Sequence, residues 1–227
     1  MRLDKYLAKC GFGSRAITRK IIRAKKVTHR GKIVTNINLK VENEVEVDGV
    51  PAIYKEFVYL MLNKPKDVVS ASTDKTYRTV IDLLEGYDHF DLFPIGRLDL
   101  DTTGLLVLTN DGNLTHHIIT PSKHKPKTYK CTLKYDLKEE YIEKFVMGVR
   151  INNYLTKPAE LEIIDNNNCL LTIYEGKYHQ VKRMFNAVGN VITELHRISV
   201  NGLSIDESLL EGEYRELTET ELDILKN

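Results

Sequence analysis

Gly96-Arg97-Leu98-Asp99-Leu100-Asp101-Thr102-Thr103-Gly104-Leu105-Leu106-Val107-Leu108 joins a polar loop to an apolar run. Two acids, an arginine, two hydroxyls and two glycines fall within the first nine residues, and glycine permits backbone angles that strain other residues. Loops held by a rigid element are where functional groups concentrate. The same residues also suit a plain tight turn in which Asp99 or Asp101 accepts backbone amide hydrogens. A phosphate-cradling P-loop is excluded, because no Gly-Lys-Ser/Thr follows. Asp99 and Asp101 also lack a third ligand at a recognisable spacing, which argues against a metal site.

Outward from this loop, Leu105–Leu108 reads as a strand, and Asn110-Asp111-Gly112 as a turn into a short helix. Phe57–Leu62 reads as a buried strand closed by Asn63-Lys64-Pro65-Lys66. Tyr129–Leu133 and Leu170–Ile173 are further strands, and Asp165-Asn166-Asn167-Asn168 is a loop following a strand that ends at Ile164. Val181, Met184, Phe185 and Val188 follow helical spacing up to a cap at Gly189. A last helix starts at Thr218, with Glu221 completing a capping box and Leu217 placed to staple onto Leu222. Strands and helices alternate irregularly, which predicts an α+β domain around a mixed sheet.

The chain has 227 residues, 42% hydrophobic and 29% charged, which is the composition of a globular protein with one or two cores. No apolar run approaches the ~18 residues of a membrane span, and the basic start Met1-Arg2-Leu3-Asp4-Lys5 has no apolar core behind it. Cys10, Cys131 and Cys169 lie far apart in the sequence, with neither zinc spacing nor an even set, so a cytoplasmic protein is expected. Cys10 and Cys131 read as core fillers. His116-His117 and His124 lack the partners of a zinc site, so exposure or RNA contact is expected of them.

Charge is unevenly spread. Residues 1–40 hold twelve Lys or Arg and one acid, Asp4, a net of +11 in a chain whose total is only +1. A compact basic module points to a polyanionic partner. Within it Leu3, Tyr6, Leu7 and Cys10 make one helix stopped at Gly11, and Ser14 is placed to cap a second. Ile17, Ile21 and Ala24 form an apolar stripe on that helix. Arg15, Arg19, Arg23 and Lys26 form a row on another face, where their mutual repulsion calls for an anion across them. Lys25–Thr35 reads as a hairpin, Val45, Val47 and Val50 as a half-buried strand, and Pro51–Glu56 as a linker.

Arg2-Leu3-Asp4-Lys5-Tyr6-Leu7, Gly13-Ser14-Arg15 and Ile22-Arg23-Ala24-Lys25-Lys26-Val27 resemble the RNA-binding module named after small-ribosomal-subunit protein four. Farther on, four stretches are similar to the signature of the RNA pseudouridine synthases: Gly96–Asp99, Thr102–Leu106, Leu108–Gly112 and Lys127-Thr128-Tyr129. Glu175-Gly176-Lys177-Tyr178-His179-Gln180-Val181-Lys182-Arg183-Met184-Phe185 extends that similarity. The likeness is to the RsuA-like branch acting on ribosomal RNA. Thr156-Lys157-Pro158-Ala159 and the Glu175–Phe185 stretch favour the enzymes of small-subunit (16S) RNA over those of large-subunit (23S) RNA.

The resemblance implies an RNA-binding domain at 1–55. It implies a catalytic domain at 56–227, built on a mixed, mainly antiparallel sheet flanked by helices, with a central active-site cleft. It implies that Asp99 cleaves the bond between uracil and ribose, by covalent addition or by stabilising the sugar cation, with no cofactor. Tyr129 is then the aromatic that stacks on a flipped-out base. Lys182, where the family more often has Arg, is the cation that keeps the partly desolvated carboxylate charged. Arg97 either fills the space the base vacates, holds a phosphate, or simply partners Asp101. His179 and Arg183 are expected to touch RNA. Arg15, Arg19, Arg23 and Lys26 are expected to hold its backbone. Lys64, Lys66, Arg97, Lys182 and Arg183 should make the cleft locally basic. The implied partner is ribosomal RNA, free or in an assembling particle, met by a monomer away from any membrane. Competing readings are a non-catalytic ribosome-assembly factor and a metal-dependent phosphotransferase using Asp99 and Asp101.

Overall fold

The computed structural model describes residues 1–120 and 125–227; His124 lies outside the described residues. The chain divides into two compact units, Met1–Val58 with Leu84–Leu92, and Tyr59–Leu83 with Phe93–Asn227. No helix among the described residues is long and apolar enough to cross a membrane.

In the first unit, helices α1 (Leu3–Lys9) and α2 (Arg15–Arg23) precede four short strands, β1 (Val27–His29), β2 (Lys32–Ile33), β3 (Val45–Val47) and β4 (Val50–Pro51). Leu3, Tyr6 and Leu7 of α1 pack with Ile22, Val27, Val41, Val45 and Val47 into one core. Gly11 ends the first helix at φ +88°, and the Ser14 hydroxyl accepts the Ile17 amide, as the sequence predicts. Three local expectations change. The buried face of α2 carries Thr18 and Ile22, leaving Ile17 and Ala24 exposed. Val50 turns outward because Asp48-Gly49, both at positive φ, fold β3 and β4 into a hairpin. Ala52, read as linker, is buried, and its carbonyl accepts the Tyr6 hydroxyl at 2.9 Å.

The basic row also differs. Its anion is internal: Asp4, fully buried, accepts hydrogen bonds from Arg2, Arg15 and Arg19 at 2.9–3.2 Å. Lys26 lies beyond the end of the helix and pairs with Asp48. Burial raises the Asp4 carboxyl, but the hydrogen bonds from Arg19, Arg15 and Arg2 outweigh it and hold the group at about 2. The stability this adds is complete above the ordinary aspartate value of about 3.9 and is lost as pH falls from there towards 2. Asp4→Asn should cost about 3 kcal/mol at pH 7, since four charge-assisted bonds from three arginines to a buried acceptor lose their anion. Thermal melts of the full chain should show this gap closing by about pH 2; a gap unchanged between pH 7 and pH 2 refutes the pairing.

The second unit is built on a nine-stranded sheet among the described residues. Its strands in chain order are β5 (Tyr59–Lys64), β6 (Phe93–Pro94), β7 (Thr103–Thr109), β8 (Lys127–Leu133), then, after the β9 (Arg150–Ile151) and β10 (Tyr154–Leu155) hairpin, β11 (Glu160–Ile163), β12 (Asn168–Ile173), β13 (Ile192–Val200), β14 (Leu203–Ser204) and β15 (Tyr214–Glu216). The order across the main sheet is β11-β12-β8-β13-β7-β5-β15. Among the described residues only the β13–β7 pairing of this sheet is parallel, so the sheet is mixed and mainly antiparallel, as expected. Central β7 is buried along its whole length, which is why it reads as an unbroken apolar run.

Helices α3 (Gly112–Ile119), α4 (Glu140–Val146), α5 (Gln180–Ala187) and α6 (Glu219–Lys226) flank the sheet. Asp111, within the predicted turn, caps α3, and Thr218 with Glu221 forms the capping box of α6 that the sequence marks. Leu114, Ile118 and Leu225 from α3 and α6 close a core over Leu105, Val107 and Met61. The first strand of this unit begins at Tyr59, two residues later than its pattern suggests, leaving Phe57 exposed. Cys131 and Cys169, distant in sequence, stand directly opposite each other on β8 and β12, both buried and free.

Candidate active site

The Gly96–Gly104 loop is clamped from beneath. Lys64 is fully buried, and its ammonium donates to the carbonyls of Pro65, Leu100 and Thr102 at 2.9, 3.3 and 2.9 Å. Burial presses this ammonium down to about 8, against the opposing pull of Asp101 and Asp99. Lys64 is therefore a strut of the loop and not the cleft cation the sequence suggests. Ser70 exchanges hydrogen bonds with both the amide and the carbonyl of Leu98 at 3.0 Å. The loop re-enters the sheet through Gly104, at φ +100°. A Cβ there would lie 2.3 Å from the Arg197 carbonyl oxygen, because β7 and β13 pair in parallel at this point.

So held, Asp99 is half-buried beside a cavity of about 980 Å³. Its carboxylate lies 3.6 Å from Lys182 Nζ and 3.5 Å from His179 Nε2. Lys182 reaches Asp101 more closely, at 2.5 Å, and so bridges the two acids. Burial raises the Asp101 carboxyl, but the hydrogen bond and the charge of Lys182, with a backbone hydrogen bond, together hold it below its usual value. Arg97 is exposed on the cavity wall, and the partner of Asp101 is Lys182 and not Arg97.

Lys182 can reach both acids because α5 is anchored from within. Glu175 is buried, and its carboxylate accepts the Lys157 amide, the Gln180 side-chain amide and the Tyr154 hydroxyl. Gln180 in turn accepts the Lys177 amide, tying the Glu175–Gln180 turn together. His179 sits at the helix start in a left-handed conformation, its ring stacked on exposed Tyr178 at 3.8 Å.

Tyr129 is buried on β8 and lines the same cavity, as do Lys127 on that strand and Arg197 on β13. Asp99, Tyr129, Lys182, His179 and Arg97 thus meet at one cavity. Arg183 does not line it; its guanidinium turns back to the Tyr178 carbonyl at 3.3 Å. Neither Lys64 nor Lys66 lines it, and Lys66 lies 3.9 Å from Glu194. Arg197 escaped the sequence reading; its position two residues from Leu195, on the same strand face, is the signal that could have found it. Among the described residues no group of three or more His, Cys, Asp or Glu side chains is placed to hold a metal ion.

The cavity brings together Asp99, the lysine that bridges it to Asp101, and a buried tyrosine. Comparison with known proteins gives the family. Residues 58–187 match the RNA pseudouridylate synthase family and residues 1–47 match the S4 domain, so this chain belongs to the RNA pseudouridine synthases. It is 48% identical to the RNA pseudouridine synthase YtzG of Bacillus subtilis, over 99% of this chain and 98% of that one. It is 45% identical to ribosomal small subunit pseudouridine synthase A of Escherichia coli K12, over 98% of each. A crystal structure of a pseudouridylate synthase superposes over 99% of both chains, with a TM-score of 0.71 at 40% identity.

Proposed function

We propose that this enzyme converts a uridine of small-subunit (16S) ribosomal RNA, free or in an assembling particle, into pseudouridine in the cytoplasm. One observation carries the reading: Asp99, Lys182 and Tyr129 come from a loop, a helix and a strand to one cavity. The 45% identity to a small-subunit enzyme over nearly the whole chain supports the choice of RNA.

The reaction breaks the bond from ribose carbon 1′ to ring nitrogen 1, turns the base, and bonds ring carbon 5 to the ribose. The hydrogen on carbon 5 leaves as a proton and one is taken up at nitrogen 1, so atoms and electrons balance without a cofactor. Asp99 meets the positive charge that grows on carbon 1′, and Lys182 and His179, at 3.6 and 3.5 Å, hold its carboxylate in place beside the cavity. The target must leave its stack, at a cost of a few kcal/mol. Stacking on Tyr129 offsets about 1–3 kcal/mol of that. Residues 1–55 form the RNA-binding domain and 56–227 the catalytic one. Arg15, Arg19 and Arg23 present their outward N–H groups to phosphates, which makes affinity fall with salt.

Purified protein incubated with 16S transcript carrying tritium at uridine carbon 5 should release tritium into water. Release from 23S transcript alone transfers the enzyme to the large subunit. No release from transcripts or from small-subunit particles rejects ribosomal RNA as its substrate.

A further inference from the structure

Two cations in the cavity take no part in the chemistry assigned to Asp99 and Lys182. Arg197 is only 3% exposed; its Nε donates to the Leu105 carbonyl at 2.8 Å, while its Nη2 is buried without a hydrogen-bond partner. Such an unmatched guanidinium N–H is costly to keep unless something meets it. Arg197 stands directly opposite Tyr129 across the β13–β8 pairing, and Lys127, two residues along β8 from Tyr129, is its diagonal neighbour on the same face. An irregularity in the pairing between Arg197 and Ser199 lets both Arg197 and Val200 line the cavity, although alternation would send them to opposite faces.

Lys127 donates to the Lys125 carbonyl at 3.1 Å. Among the described residues no carboxylate pairs with Lys127 or Arg197, so two positive charges sit together beside the tyrosine with no anion of the protein's own. Burial, and next the charge of Arg197, lower the Lys127 ammonium to about 8.

The reaction supplies the anion. When the bond to carbon 1′ breaks, its electron pair stays on uracil, and ring conjugation carries that charge onto the two carbonyl oxygens. We propose that Arg197 is a catalytic residue whose Nη2 donates to a uracil carbonyl oxygen and, with Lys127, stabilises the negative charge on the departing base. This rests on the flipped-base reading of the cavity. Asp99 and Lys182 then serve the sugar, and Arg197 and Lys127 serve the base.

The test uses the full-length enzyme, 16S transcripts made with uridine or with 5-fluorouridine throughout, and rearranged nucleosides counted by chromatography under single turnover. Arg197→Gln should lower the rate on uridine about 10²-fold, the usual effect of losing one donor to a developing anion. RNA affinity should stay within about 3-fold, because the lost contact strengthens only as the bond breaks. Fluorine makes the departing base a better leaving group, so the same variant should lose only about 10-fold on the fluorinated transcript. Lys127→Met, at a more exposed position, should show the same narrowing on a smaller scale and decides the matter if Arg197→Gln does not fold. Equal losses on the two transcripts, or a folded Arg197→Gln within about 3-fold of wild type, overturn the assignment. If Asp99→Asn is inactive in the same assay, that failure leaves the flipped-base reading standing; an active Asp99→Asn removes the reading itself.

Discussion

Asp99→Asn should lower pseudouridine formation by at least about 10³-fold while leaving RNA affinity within about 2-fold. The amide has the size of the carboxylate, so the loop fixed by Lys64 and Ser70 keeps its shape. What disappears is a negative charge 3.6 Å from Lys182, the charge that in the proposed reaction meets the cation forming on the sugar. Lys182 still has Asp101 at 2.5 Å, so the variant does not strand a lysine, and its melting temperature should stay near that of the parent. Tritium release, filter binding and a thermal melt on one preparation separate the three effects. Product at a tenth of the wild-type rate removes Asp99 from the chemistry.

Gly104→Ala should cost more than about 3 kcal/mol and lower the melting temperature by about 10 °C, if the protein folds at all. Two independent penalties combine. The residue sits at φ +100°, where side-chain-bearing residues are strained, and its new methyl would lie 2.3 Å from the Arg197 carbonyl oxygen and 2.7 Å from its nitrogen. Both atoms belong to the β13 backbone, which is paired on its other side to β8 and cannot swing away. Relief requires parting β7 from β13 beneath the Asp99 loop, so activity should fall with stability. A variant melting within about 2 °C of the parent contradicts this close approach.

Comparing Gly104→Ala with Gly31→Ala isolates the backbone clash. Gly31 also has positive φ, at +72°, but nothing lies near its notional Cβ. That change should cost only about 1 kcal/mol from conformation alone.

Much of this protein follows from local order in the chain. The apolar run after Gly104, the caps at Ser14, Asp111, Thr218 and Gly189, and the polar nine-residue loop rest on residues a few positions apart. Short-range backbone geometry decides such features whatever the rest of the molecule does. The uneven charge is likewise a property of sequence alone. Which charges are free is not: Asp4 neutralises part of the basic row only because α1 and α2 pack together, and Lys64 becomes a buried strut only under a loop some 36–38 residues later. The bridge from Lys182 to Asp101 spans 81 residues, and Arg197 reaches Leu105 across 92. Contacts over such separations depend on which strands pair and in what register. A single slip of β13 would turn Arg197 from the cavity to the other face of the sheet, with no change in the local pattern that defines the strand.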